Sequence, residues 1–360
     1  MKSDAEVIDK AADEEEILSR ISEAREKLGD KLFILGHHYQ RDNVIRFADK
    51  TGDSFGLSKY VAENVRSPYI VFCGVHFMAE TADILTPDHQ SVILPDLTAG
   101  CSMADMANLN QVERCWEILK DTTSEKIIPV TYVNSTAEIK AFCGKHGGTV
   151  CTSANADKIL KWAFTQGEKV LFLPDQHLGR NTGYKMGIPL EKMAVYNPLE
   201  DNGGTDFSEY SEAKIILWHG YCSVHMNFKP VYVDMFRDEH PGINILVHPE
   251  CEFDTVIKSD YQGSTSGIIK TIEAASPGSK WAIGTEINLV NRLKDMHPDK
   301  FITPLTSFTC QCQTMYRIDP EHLLASLEAL NRGEVINRIT VPEDISVDAK
   351  TALDKMLEIS

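Results

Sequence analysis

No apolar run in the chain approaches the ~18–20 residues that a membrane-spanning helix needs, so a helical membrane protein is not expected. Positive charge is also scarce. Lys and Arg number 36 against 53 Asp and Glu, a formal net charge of −17, which argues against a general nucleic-acid binder that must neutralise phosphates. The opening residues, MKSDAEVIDKAADEEE, are acidic where a secretory signal would be basic and then apolar. A cytoplasmic protein with no nucleic-acid and no membrane partner is therefore expected. There is no Cys-x-x-Cys pair and no HExxH, which counts against a zinc knuckle or a zincin. No low-complexity or Pro/Gly-rich stretch marks a flexible linker.

What is present is a globular composition, 42% hydrophobic and 25% charged over 360 residues, too long for one ordinary core. After a charged helical lead-in at 5–29, with Val7, Ile8, Ala11, Ile17, Ile21 and Ala24 on one stripe, apolar runs rich in β-branched residues alternate with helical stretches. They are KLFIL, YIVFC, SVILP, IIPVTYV, KVLFLP, KIILW, INILV, KWAIG and KFITP. This alternation predicts an α/β chain of βαβ units, with parallel sheets covered on both faces.

The runs form three sets of three. The first strand of each set ends in a polar tip: His37-His38-Tyr39, Tyr132-Val133-Asn134 and His248-Pro249-Glu250. Each tip is followed by a Ser/Thr segment opening a helix, at Ser54, at Ser153 and at Thr265. Each third strand ends near a cysteine, Cys101, Cys222 and then Cys310 or Cys312. We read an internal triplication, with repeats at 30–118, 119–230 and 231–319 after the 1–29 lead-in. Two helices in 320–360, marked by Leu323, Leu324, Leu327 and Leu330 and then by Leu353, Met356 and Leu357, are expected to pack back on the first repeat. Ligands of parallel α/β sheets bind beyond the carboxyl ends of the strands, so three repeats set face to face would pool their tips and cysteines in one central cleft.

Nine cysteines in a long chain with an acidic start do not suggest a disulfide framework. Free cysteine is among the most buried residue types, and Cys73, Cys115, Cys143, Cys151 and Cys251 are read as structural thiols. The repeat-end trio is different. Thiolates from three distant places suit an iron–sulfur cluster, and three protein ligands leave one iron open to act as a Lewis acid. Spacing alone does not choose between Cys310 and Cys312.

Helix openings with hydroxyl and free N–H groups are natural anion sites, although each of these segments could equally be a plain N-cap. His37, Tyr39, Tyr132, His248 and Glu250 are candidate proton carriers, and Asn134 is a candidate donor that orients a carboxylate. His38 should face away from the site. His219 and His225 flank Cys222 and could tune a bound metal group. Glu286 and His177, at second-strand tips, are secondary site candidates, and Lys140, Arg180 and Lys185 could steer anions inward, although a solvated face explains them as well.

Taken together, GHHYQ (36–40), GDS (52–54), FCGVHFMAETA (72–82), DLTAGCSMAD (96–105), YVNS (132–135), TSAN (152–155), LPDQHLGRNTG (173–183), WHGYCSVH (218–225), HPEC (248–251), GSTSG (263–267) and GTE (284–286) resemble the quinolinate synthase family. The resemblance implies three αβα domains around a pseudo-threefold axis with the active site at their junction, and a [4Fe–4S] cluster held by one cysteine from each. It implies Cys312 as the third ligand beside Cys101 and Cys222, because Cys312-Gln313-Thr314-Met315 has the family's Cys-x-x-Met context. It implies condensation of iminoaspartate with dihydroxyacetone phosphate to quinolinate in NAD biosynthesis, with loss of phosphate and two waters. Catalytic roles then fall to His37, Tyr39, Tyr132, His248 and Glu250, with Ser54, Asn134, Ser153 and Thr265 binding substrate. Transient contact with L-aspartate oxidase, which makes the imine, is the one protein partner expected. Two other readings are a zinc hydrolase using Cys and His ligands and a cluster-containing sensor.

Overall fold

A computed structural model describes residues 4–359, with side chains from residue 14 onward apart from those of Phe55 and Ser58. The stripe positions Val7, Ile8 and Ala11 lie outside the described side chains; Ile21 and Ala24 are buried.

All nine apolar runs are strands, and each belongs to a wholly parallel sheet. The first sheet, in the order β2-β1-β3-β4, comprises β1 (Leu32–His37), β2 (Lys50–Gly52), β3 (Tyr69–Cys73) and β4 (Ser91–Ile93). The second, β6-β5-β7-β9-β8, comprises β5 (Ile127–Tyr132), β6 (Thr149–Cys151), β7 (Lys169–Leu173), β8 (Met193–Tyr196) and β9 (Ile215–Trp218). The third, β11-β10-β12-β13, comprises β10 (Asn244–Val247), β11 (Tyr261–Gln262), β12 (Lys280–Gly284) and β13 (Phe301–Pro304). The short β2, β6, β8 and β11 are additions to the sequence reading.

The same winding recurs in each sheet: the first long strand pairs on one side with a short edge strand and on the other with the next long strand. The direction of winding reverses at that first strand, which creates a crevice at its carboxyl end. Register sets what lies beside it. His37 pairs with Gly52, Tyr132 with Cys151 and Val247 with Gln262, so each polar tip adjoins the segment that opens the following helix.

Helices α1 (Asp4–Leu28), α2 (Asp42–Ile45), α3 (Ser54–Asn64) and α4 (His76–Leu85) accompany the first sheet. Then come α5 (Leu109–Thr122), α6 (Ala137–Lys145), α7 (Ala156–Gln166), α8 (Gln176–Lys185) and α9 (Phe207–Glu212). The third sheet follows with α10 (Pro230–Glu239), α11 (Phe253–Lys258), α12 (Thr265–Ala274) and α13 (Ile287–Met296), and the chain closes with α14 (Pro320–Asn331) and α15 (Glu343–Ile359).

Two compact units result, Met1–Gly100 with Cys312–Thr340, and Cys101–Gln311 with Val341–Ser360. The breaks after Gly100 and before Cys312 have a local cause. The helix after each repeat-end cysteine packs on elements of the next sheet's repeat: α5 on α6 and α9, α10 on α11, and α14 on α1 and α2. Hence α5, placed in the first repeat on sequence, goes with the second, where Trp116 meets Phe142 edge to face at 5.6 Å. One sheet to a repeat remains the division we propose.

The tail also differs from expectation. Leu323, Leu324, Leu327 and Leu330 are buried within the first unit, but α15 packs on α6, α7 and β6 rather than on the first repeat. Gly144 on α6 permits this approach, because a Cβ there would sit 2.0 Å from the Asp348 carbonyl oxygen. Thr149 Oγ1 donates to Ala352 O at 2.9 Å, and Ala349, Ala352, Leu353 and Met356 are buried along α15.

Candidate active site

At the carboxyl end of β10 the backbone folds back on itself. The Glu250 N–H donates to His248 Nδ1 at 3.3 Å, and in the first repeat the Tyr39 N–H donates to His37 Nδ1 at 3.1 Å. An Nδ1 used as acceptor leaves the ring proton of a neutral imidazole on Nε2. Burial pushes His248 down to about 3, against the pull of the Glu250 carboxylate, so at neutral pH it is a neutral ring with an Nε2–H to offer.

Glu250 itself is buried and heavily hydrogen-bonded. Its Oε2 lies 2.9 Å from His225 Nδ1, its Oε1 lies 3.7 Å from His248 Nδ1, and the Tyr132 side chain bonds to it as well. Burial alone would push this carboxyl up. The field of His225 and then of His248, with hydrogen bonds from His225 and Tyr132, outweighs that and brings it down to about 2. The His225 and His248 rings stack at 4.5 Å with 19° between planes, and His225 Nε2 lies 3.5 Å from Thr285 Oγ1. Sequence reading gave His225 only a place beside Cys222; the fold makes it the partner of a carboxylate in another repeat. Cys222 is close by: its Sγ, a ring nitrogen of His225 and an oxygen of Glu250 all lie within 4.8 Å of one another.

Two further buried carboxyl side chains cap helices, and one of them, Asp175, feels the charge of Glu250. Glu286 caps α13, accepting from the Asn288 N–H at 2.7 Å. Asp175 caps α8, its Oδ1 accepting from the N–H groups of His177 and Leu178 at 2.7 and 2.9 Å, while its buried Oδ2 has no partner. Burial, then the charge of Glu250, pushes Asp175 well above the usual carboxylate range. Sequence reading passed over it, although an Asp opening a helix after a strand is a cap signal. His177, half-buried beside Arg180, is pushed down to about 4, chiefly by burial. His219 is exposed, Lys185 is exposed and Lys140 is fully buried, donating to Ser135 O.

The helix openings are capped by neighbours of the residues singled out. Asp53 accepts from Gly56 N, Ser264 accepts from Gly267 N, and Asn155 holds the N-cap position of α7. Ser54 and Thr265 are thus first-turn residues, and Ser153 precedes its cap. The amide oxygen of Asn134 is buried without a hydrogen-bond partner.

The cysteines separate into two classes. Cys101, Cys222 and Cys312 are part-exposed; the others are buried. Burial pushes Cys73 up to about 12 and Cys310 up to about 11, and raises Cys115, Cys143, Cys151 and Cys251 too. A thiolate is the ligand form, so these are poor candidates. The three part-exposed residues open one and the same turn. Their carbonyls accept from the N–H groups of Asp105, Met226 and Tyr316 at 3.1, 3.1 and 3.0 Å. Single 3-10 turns then begin at Ala104, His225 and Met315, and helices at Leu109, Pro230 and Pro320, at equal intervals from each cysteine. The carbonyls of Ala99, Gly220 and Cys310 accept from His76, Gln176 and Ile287, so Cys310 occupies the place of Ala99 and Gly220. Cys312 is the structural counterpart of Cys101 and Cys222. Within the first unit its turn is tied to the tip of β1: Gln40 Nε2 donates to Met315 O at 3.2 Å, and Arg41 donates to Tyr316 O with its guanidinium 3.4 Å over the Tyr316 ring.

Comparison with known proteins decides the family. Residues 19–358 match the profile of NadA, described as Quinolinate synthetase A protein. The chain belongs to the quinolinate synthase A family. Relatives called quinolinate synthase include one from Geobacillus sp. (strain WCH70), 57% identical over 350 residues, covering 96% of this chain and 94% of that one. Another, from Geobacillus kaustophilus (strain HTA426), is 55% identical over 352 residues, with 98% and 95% covered, and one from Bacillus anthracis is 56% identical over 344 residues, with 96% and 93% covered. This member of the quinolinate synthase family is therefore an enzyme. Of its expected site residues, His37, Tyr39, Ser54 and Cys312 lie in the first unit. Tyr132, Asn134, Ser153, His248, Glu250, Thr265, Cys101 and Cys222 lie in the second, and there Tyr132, His248, Glu250 and Cys222 are gathered around one carboxylate. No described helix is long and apolar enough to cross a membrane.

Proposed function

We propose that this enzyme condenses iminoaspartate with dihydroxyacetone phosphate to give quinolinate, phosphate and two waters, for NAD biosynthesis in the cytoplasm. The reaction balances without an oxidant or reductant, so its demands are anion binding and proton movement. The observation that carries the reading is the buried set of Tyr132, Glu250, His225 and His248 at strand ends beside Cys222. A neutral His248 offers its Nε2–H to a substrate oxygen. The Tyr132 hydroxyl, bonded to the Glu250 carboxylate, holds a proton that it can give up and recover with Glu250 as its partner. His37 and Tyr39 do the same work at the tip of β1. Ser54, Ser153 and Thr265, at helix openings rich in N–H groups, bind the carboxylates and the phosphate, and Asn134 orients one carboxylate through its amide.

The donor set suits a [4Fe–4S] cluster, because three part-exposed thiols opening identical turns stand apart from the buried ones. Cys101, Cys222 and Cys312 would hold it. When bound it supplies an iron without a protein ligand, a Lewis acid for a departing oxygen. L-Aspartate oxidase, as the source of the imine, is the proposed transient partner.

The trio Cys222, His225 and Glu250 also has the composition of a mononuclear zinc site, which is the second reading. Metal analysis of anaerobically purified protein, with a quinolinate assay on the two substrates, separates them. About four irons per chain and quinolinate formation support the first reading. One zinc, colourless protein and no quinolinate would overturn it.

A further inference from the structure

Glu250 sits on a loop with no regular backbone pairing of its own, yet its carboxylate must stay within reach of Tyr132, His225 and His248. The loop is held from another repeat. Asn181, on α8, donates through Nδ2 to the carbonyl oxygens of Pro249 and Cys251 at 2.8 and 2.9 Å, the two residues flanking Glu250. The side chain is only 2% exposed. Two carbonyls can accept only from an NH₂ group, so the pattern fixes the orientation of the amide. Its Oδ1 is buried with no hydrogen-bond partner.

We propose that Asn181 is a positioning residue for catalysis, holding the Pro249–Cys251 loop so that Glu250 meets Tyr132 and His225. The inference rests on the reading of Glu250 as a catalytic residue. A carboxylate that must act within hydrogen-bond reach loses much of its effect when displaced by an ångström. The assignment follows from the fold alone, since residues 181 and 250 belong to different repeats.

The test compares Asn181→Ala, which removes both donors, Asn181→Ser, which keeps one, and Glu250→Gln, each as full-length, anaerobically prepared enzyme. Rates are normalised to iron content. The expected result is a fall in kcat of about 10- to 100-fold for Asn181→Ala, a smaller fall for Asn181→Ser, KM values for both substrates within about threefold, and wild-type iron content. A role in stability alone would lower the melting temperature or the yield and leave kcat per loaded enzyme unchanged, and that result overturns the proposal. If Asn181→Ala does not fold, a folded Asn181→Ser with wild-type kcat overturns it equally. Full activity in Glu250→Gln would instead sink the reading of Glu250. An inactive Glu250→Gln beside fully active Asn181 variants would sink only the role given to Asn181.

Discussion

His225 Nδ1 lies 2.9 Å from Glu250 Oε2, and both side chains are almost wholly withdrawn from solvent. Removing one partner of a buried hydrogen bond leaves the other unsatisfied, which costs about 1–3 kcal/mol. Glu250→Ala is expected to lose that much unfolding free energy in a denaturant titration. The double variant Glu250→Leu/His225→Phe should lose less than the sum of its two single changes, since neither partner is stranded. Turnover by Glu250→Gln should fall by about 100-fold or more.

The counterparts of Cys312 in the other repeats are Cys101 and Cys222, whereas Cys310 stands where the others have Ala99 and Gly220. An alanine is thus already accepted at the Cys310 position of the fold. Cys310→Ala should keep iron content, visible absorption and activity within about twofold of wild type, allowing for a small packing loss. Cys312→Ala should lose all three. Anaerobic iron analysis with an absorption spectrum checks both variants, and the reverse pattern would exchange the two assignments.

Acid should weaken the fold through two histidine rings. Asp175 offsets part of this, because its raised carboxyl takes up a proton in the folded chain while the unfolded one still has it ionised. His248 and His177 are held below the ordinary imidazole value, at about 3 and about 4. The unfolded chain therefore takes up protons below about pH 6.5 that the folded chain refuses. Their contribution is complete above that pH and is withdrawn progressively as pH falls toward the folded values, about 2 kcal/mol for each ring at pH 5. Glu250, also depressed, is ionised in both states throughout this window and alters the balance only below about pH 4.5. Urea midpoints at pH 5, 6 and 7.5 should show the decline, and His248→Gln should make it shallower.

Gly144 faces the Asp348 carbonyl across the α6–α15 contact. Gly144→Ala forces that carbonyl and the last helix outward, an overpacking change of about 1–3 kcal/mol. The melting temperature should drop, and amide exchange along α15 should quicken before it does elsewhere. Unchanged protection in α15 would mean that the helix absorbs the methyl group by sliding.

The long strands were legible because they are buried on both faces and so read as unbroken apolar runs. Lys50-Thr51-Gly52 and Tyr261-Gln262 were not, being short, exposed edge strands whose pairing depends on the neighbouring strand. The strand-tip candidates could be found because a polar tip after an apolar run is a local signal. His225, Asp175 and Asn181 act on a residue in another repeat, and no local pattern announces such a contact. The helical stripe of α15 showed that it would pack, but the surface receiving it was set by a missing side chain at Gly144.

The identical turns at Cys101, Cys222 and Cys312 bear on biosynthesis. In the proposed cluster site each sheet's repeat would contribute a single sulfur, so a nascent fragment would not retain a group that needs all three. On the proposed ligand set, loading would wait until the ribosome has passed residue 312, so iron delivery would be a late step in maturation and truncated products would stay empty.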